Sequence, residues 1–167
     1  MIKDTIMISM DTSTQHSGIA VWVNAKLTEY FAIIKPKSET NGNEWMTKEL
    51  YKIIDKYKPQ IVITEAVNVD KNFKTMATLI SLIGKLQGYY DATDDSFRDE
   101  LPPNVWRKLV ASEDEPIPTK RVDTKPWAIK KIKELFNFDE PDDNVCEAIL
   151  IGQAYINYIN CMCSEEE

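Results

Sequence analysis

Residues 6–10 form a short apolar, β-branched run that ends at Asp11, and a polar stretch, 12–17, precedes Gly18. This pattern predicts a strand and then a turn. Residues 19–23 read as a second strand, 24–26 as a short hairpin connection and 27–34 as a third strand carrying aromatics, so the chain opens as an antiparallel meander. The polar, glycine-containing segment 36–43 is a loop. Met46, Leu50, Ile53, Ile54 and Tyr57 then recur at helical spacing until Pro59 ends the helix.

The continuous apolar run 61–64 has the signature of a strand buried on both faces, and it delivers Glu65 at its C-terminal edge. A strand after a helix suggests a parallel crossover. Met76, Leu79, Ile80, Ile83, Leu86 and Tyr90 mark a long helix over 72–90, where Gly84 and Gly88, one turn apart, allow another helix to approach closely. A last strand is expected at 97–101, a short helix at 103–110 and a charged, proline-bearing loop at 112–124. Two helices follow, about 126–136 and 143–159, with Asp142 and Asp143 suited to cap the second. The order β-β-β-α-β-α-(β)-α-α describes an α/β chain: a mixed central sheet, antiparallel in its first three strands and parallel in the rest, flanked by helices. It excludes an all-β sandwich and a pure helical bundle.

Length supports one domain over residues 1–160 with an acidic tail at 161–167, and 43% hydrophobic content suffices to fill its core. No apolar run approaches the roughly 20 residues that cross a bilayer, and the N-terminus lacks a secretory pattern, so a cytoplasmic protein without membrane contact is expected. Three cysteines and a single histidine make a zinc site improbable and fit a reducing compartment. The net charge of −7 argues against a protein that coats nucleic acid by bulk electrostatics. Distribution changes the picture, because residues 107–133 carry eight basic side chains against four acidic ones.

Acidic residues sit where a strand-based fold places functional groups: Asp11 ends the first strand, Glu65 the fourth, and Asp143 and Glu147 open the last helix. Four residues apart, the last two share a helix face. If that helix packs on the sheet, its acidic face meets Asp11 and Glu65. Carboxylates gathered together raise one another's pKa unless positive charge stands between them, and divalent cations answer that need. Mg²⁺ prefers hard oxygen ligands, and two ions roughly 3.5 to 4 Å apart can activate water and steady the leaving oxygen in phosphodiester cleavage.

The segments MISMDTSTQHSGIAVW, IVITEAVNV, GKLQG, PPNVWRKLV and DDNVCEAIL occur in the order and rough spacing of RuvC-type Holliday junction resolvases, and the chain resembles that family from Ile6 to about Tyr158. The resemblance implies an RNase H-like fold and a Mg²⁺-dependent endonuclease, with Mn²⁺ able to substitute. It also implies a homodimer that nicks branched DNA, four-way junctions above all and also forks and flaps. By position it assigns Asp11, Glu65 and Glu147 as metal-holding catalytic acids. The family spaces its last two acids three apart, which here selects Asn144, so Asp143 is taken as the fourth ligand with Asp142 in reserve. Family members place an aromatic just after the second acid. Here those positions are Asn68 and Val69, and the nearest aromatic is Phe73. Lys71, Phe73, Lys74, Lys85, Arg107, Lys108 and Arg121 are the candidate DNA contacts, and the helix with Gly84 and Gly88 is the candidate dimer face. Small size, acidity and these departures point to a bacteriophage version acting in the host cytoplasm.

Plainer roles compete for several of these residues. Asp11 suits a turn, Asp142 and Asp143 suit a helix cap, and His16 suits the surface. Phe73 and Trp106 fit a core, and Lys120, Arg121, Lys125 and Lys130 a solvated face. Glu65, continuing an apolar strand, is hardest to explain without a partner or a site. Two rival functions remain: an actin-like ATP-binding protein, since Asp11 and its Thr/Ser turn also resemble a first phosphate loop, and a catalytically silent branched-DNA-binding module. The five glycines, with no adjacent pair, count against the ATP-binding reading.

Overall fold

The computed structural model describes residues 4–67, 72–93 and 97–164. The elements run β1 (Ile6–Asp11), β2 (His16–Val23), β3 (Lys26–Ile34), α1 (Gly42–Tyr57), β4 (Ile61–Glu65), α2 (Phe73–Thr93), β5 (Phe97–Leu101), α3 (Pro103–Val110), α4 (Arg121–Phe136) and α5 (Asp143–Ser164). One mixed sheet has the order β3-β2-β1-β4-β5. Its β1-β2 and β2-β3 pairs are antiparallel, and its β1-β4 and β4-β5 pairs are parallel. This is the mixed sheet flanked by helices expected of an RNase H-like fold.

Strand parity divides the core. Ile8, Met10, Ile19, Val21 and Val62 turn toward α1 and α2, where Met46, Leu50, Leu82 and Leu86 complete one buried layer. Met7, Ala20, Trp22 and Ile63 turn the opposite way, onto Cys146, Ile149 and other α5 residues, with Trp106 and Ile132 closing the layer from α3 and α4. A buried polar link fixes α5 to this face: Trp22 Nε1 donates to Ser9 Oγ at 2.9 Å, and Ser9 Oγ donates to the Ala148 carbonyl at 2.7 Å. The contact is close because Gly152 lies over it. A Cβ there would stand 2.4 Å from Trp22 Nε1 and 2.5 Å from Ser9 Oγ.

The structure departs from the expected elements in four places. The hairpin turn is only Asn24 and Ala25, both at positive φ (51° and 60°), as a two-residue turn requires. Helix α4 starts at Arg121, ahead of the expected start near 126, and contains Pro126 within its second turn. Its first turn forms regardless, with the Asp123 and Thr124 N–H groups donating to the Lys120 carbonyl. Helix α5 runs past Ile159 to Ser164, into the segment read as an acidic tail. The close helix packing expected at Gly84 and Gly88 is not made among the described residues. Both glycines are exposed, and a Cβ on either would meet nothing within 4 Å among the described residues.

None of the three cysteines forms a disulfide. Burial, reinforced by surrounding carboxylates, pushes the Cys146 thiol up to about 12, which suits an inert core residue. No helix among the described residues is long and apolar enough to cross a membrane.

Candidate active site

Parity and register place the first two acids. Met7 and Ser9 face α5 along β1, so Asp11 belongs to the same face. Along β4, Ile61 and Ile63 do the same, which puts Glu65 there too. The parallel pairing of β1 with β4 aligns Met10 with Thr64. One residue further along, Asp11 and Glu65 end their strands on this same face.

Gly18 brings in the third element. It pairs with Asp11 across β1 and β2, and the first turn of α5 lies directly over it. A Cβ at position 18 would fall 1.9 Å from the Asn144 carbonyl oxygen and 2.7 Å from the Val145 nitrogen. That approach is possible only for glycine, and it sets the start of α5 against the end of β1. The Asp142 side chain caps this turn, its Oδ1 accepting from the Asn144 N–H at 3.0 Å and the Val145 N–H at 3.2 Å. Its other oxygen lies 2.7 Å from His16 Nε2. Asp142 therefore holds the helix end in place, while Asp143 and Glu147 follow on the shared helix face.

Cations stand among these acids. Arg107 Nη2 of α3 lies 3.8 Å from Glu65 Oε1 and 4.0 Å from Glu147 Oε1, so one guanidinium spans acids from β4 and α5. Lys125 of α4 pairs with Asp143. Trp106, fully buried, donates its indole N–H to Glu65 Oε1 at 3.0 Å, and the Arg107 guanidinium carbon sits 4.9 Å from that ring's centre. The Arg107 Nε is buried with no hydrogen-bond partner among the described residues.

Burial pushes the Glu147 carboxyl up to about 7, Glu65 and Asp143 add to the rise, and Arg107 and Lys125 oppose it. Folding therefore favours the protonated form. The stability that proton brings is whole below the ordinary value of 4.5 and is lost as pH climbs through about 7. Glu147→Gln keeps the shape and removes the charge. In EDTA it is expected to melt about 5 °C above the parent at pH 8 and level with it at pH 4. Paired melting curves at the two pH values check this, and equal melting at both would show that no like-charge strain exists there.

The donor set consists of hard carboxylate oxygens, the chemistry that Mg²⁺ and Mn²⁺ select. Among the described residues, no three His, Cys, Asp or Glu side chains are already gathered into a cage. Arg107 and Lys125 supply part of the charge that the acids require. The acids thus fit a divalent ion by the chemistry of their donors and form no preformed cage among the described residues.

The other candidate residues are dispersed. Arg107 faces the acids, and Lys108 beside it is exposed. Lys74 is exposed on the first turn of α2, whereas Lys85, further along, donates to Asn43. Phe73 is 72% exposed, which removes the competing core role and leaves the expected DNA contact open: it begins α2, before that helix turns its apolar side inward. Lys71 lies outside the described residues, and only the backbone of Arg121 is described. Sequence reasoning missed two roles. Trp106 was readable as core but not as a donor to Glu65, and Lys125 was grouped with solvated side chains although it meets Asp143. An amphipathic α3 carrying Trp next to Arg was the available signal for the first.

No protein-family model matches the sequence, and no curated protein matches it. Solved structures do resemble the fold. The chain superposes on Thermus thermophilus RuvC bound to a Holliday junction substrate with a TM-score of 0.69 at 11% identity, covering 94% of this chain and 96% of that one. The Fowlpox virus resolvase in complex with Holliday junction DNA gives 0.60 at 15% identity, covering 93% and 99%. The yeast mitochondrial Holliday junction resolvase Ydc2 gives 0.60 at 10% identity, covering 91% and 78%. At these identities the likeness establishes the shared fold.

Proposed function

We propose that this chain is a divalent-metal-dependent endonuclease that nicks branched DNA, four-way junctions first among its substrates, with Asp11, Glu65, Asp143 and Glu147 as the metal-holding acids. One observation carries the reading: a single guanidinium, Arg107, reaches both Glu65 and Glu147, acids from β4 and α5 that are far apart in sequence. The parallel register of β1 with β4, which runs to Met10 and Thr64, supports counting Asp11 with them. The three similar structures are all resolvases, and two of them hold Holliday junction DNA, which favours a branched substrate over a linear one.

Bound divalent ions would supply a water acidified for attack and positive charge at the leaving oxygen. The chain's own residues do the rest. The four carboxylates fix where the ions sit. Arg107 and Lys125, paired with those acids before ions arrive, lie close enough to turn toward a phosphate. Exposed Lys74 and Lys108 are suited to backbone contacts that position the DNA without reading its sequence. Phe73 offers an exposed ring that can stack on an unpaired base at the branch point.

The homodimer belongs to the same proposal. Ala77, Ile80, Gly84 and Gly88 are all exposed, and at helical spacing they share one face of α2. A second copy of α2 is the fitting partner, since two glycines allow close contact between helices. Ile80→Glu is expected to convert a dimer into a monomer in sedimentation, with the fold retained because Ile80 is 53% exposed. A variant that still sediments as a dimer would place the interface elsewhere.

The activity is tested with end-labelled four-way junctions, forks, flaps and linear duplex in Mg²⁺, Mn²⁺ or EDTA. Nicks are expected in branched DNA only, and only with a divalent ion. Branched DNA that is bound but left intact would identify a silent binding module instead.

A further inference from the structure

Behind the acids lies a second buried polar assembly that the proposed chemistry does not use. Lys131 of α4 is 2% exposed and pairs with Glu115, from the loop between α3 and α4, and with Glu134 at 2.7 Å. Glu115 also accepts the Ser112 N–H at 2.9 Å and the Trp127 indole N–H at 2.8 Å. Trp127 in turn packs on Trp106, ring centres 6.2 Å apart and planes tilted by 46°. A buried ammonium is costly to desolvate, and its best-attested use is to fix one arrangement among several. Here the arrangement it fixes ends at the indole that bonds Glu65.

A buried indole N–H needs an acceptor, and for Trp106 that acceptor is the acid that ends β4. Carboxylates that hold metals are characteristically hydrogen-bonded from behind, which sets their orientation. We propose that Trp106 is a positioning residue for Glu65, its indole N–H setting the carboxylate's orientation, and that Trp127, Glu115 and Lys131 brace the indole in that pose. Trp106 acts through Glu65 and touches neither DNA nor ion. The inference rests on the four-acid reading above.

The test is a double-mutant cycle read by Mn²⁺ binding, followed by electron paramagnetic resonance on the full-length protein, with melting temperature as the check on folding. Trp106→Phe keeps an aromatic ring and removes the N–H. It is expected to weaken Mn²⁺ binding roughly tenfold in the parent. In a Glu65→Ala background, already weakened, the same change is expected to add less than about twofold, because the group it acts through is gone. In the cleavage assay Trp106→Phe should lower kcat and leave the KM for junction DNA in place. Trp127→Phe, which removes the bond to Glu115 at the outer end of the brace, should move Mn²⁺ affinity in the same direction by a smaller factor. It carries the test if Trp106→Phe does not fold. Unchanged affinity in Trp106→Phe, or an equal loss in both backgrounds, overturns the inference alone. A parent protein that binds no Mn²⁺ overturns the four-acid reading and this inference together.

Discussion

Glu65→Gln is expected to remove nicking by about a thousandfold or more while branched DNA is still bound with parental affinity. The magnitude follows from the several kcal/mol that metal-borne charge contributes to phosphodiester cleavage. The fold should survive because Gln matches Glu in volume and its Oε1 can still accept the Trp106 indole N–H now made at 3.0 Å. Arg107 keeps Glu147 as a partner, and Glu65's share of the rise in the Glu147 carboxyl, which burial dominates, is removed. Binding should persist because the phosphate contacts come from other residues. Gel-shift and cleavage assays on the same junction separate the two effects. Loss of binding in step with cleavage would mean that Glu65 supports structure or DNA contact instead of chemistry.

Gly18→Ala should have the largest effect of any one-carbon change. The added Cβ would fall 1.9 Å from the Asn144 carbonyl oxygen and 2.3 Å from its carbon, both backbone atoms of a capped helix turn. Neither can rotate aside, so α5 must lift from β2. Such overpacking costs typically 1–3 kcal/mol. The functional cost is expected to be greater, because the same turn carries Asp143, with Glu147 one turn on, and a misplacement near 1 Å can cost about a hundredfold in rate. Urea melts and single-turnover nicking measure the two effects. A variant with parental stability and rate would mean that α5 is not seated as described.

The strand and helix positions of the proposed acids were readable in the chain because strand parity is local. The two-residue period of any strand sets Asp11 on the face of Met7 and Ser9 and Glu65 on that of Ile61 and Ile63, and four-residue spacing pairs Asp143 with Glu147. What could not be read is non-local. Nothing in the sequence states that β1 and β4 align Met10 with Thr64, or that Gly18 exists to admit Asn144. Asp142 and Asp143 looked equivalent as caps. Only the helix start distinguishes them, with Asp142 accepting the N–H groups that follow it. The core role that helical spacing offered Phe73 fails because the helix begins at that residue, ahead of its buried stretch. Lys125 looked like part of a solvated cluster because its partner, Asp143, comes from another helix.

Crystals soaked in Mn²⁺ and measured for anomalous scattering would test the central claim most directly, since manganese is located by its own signal. Density among Asp11, Glu65, Asp143 and Glu147, with Arg107 drawn away from the carboxylates, is the expected result. Manganese bound only elsewhere on the surface, with Arg107 still between Glu65 and Glu147, would contradict it.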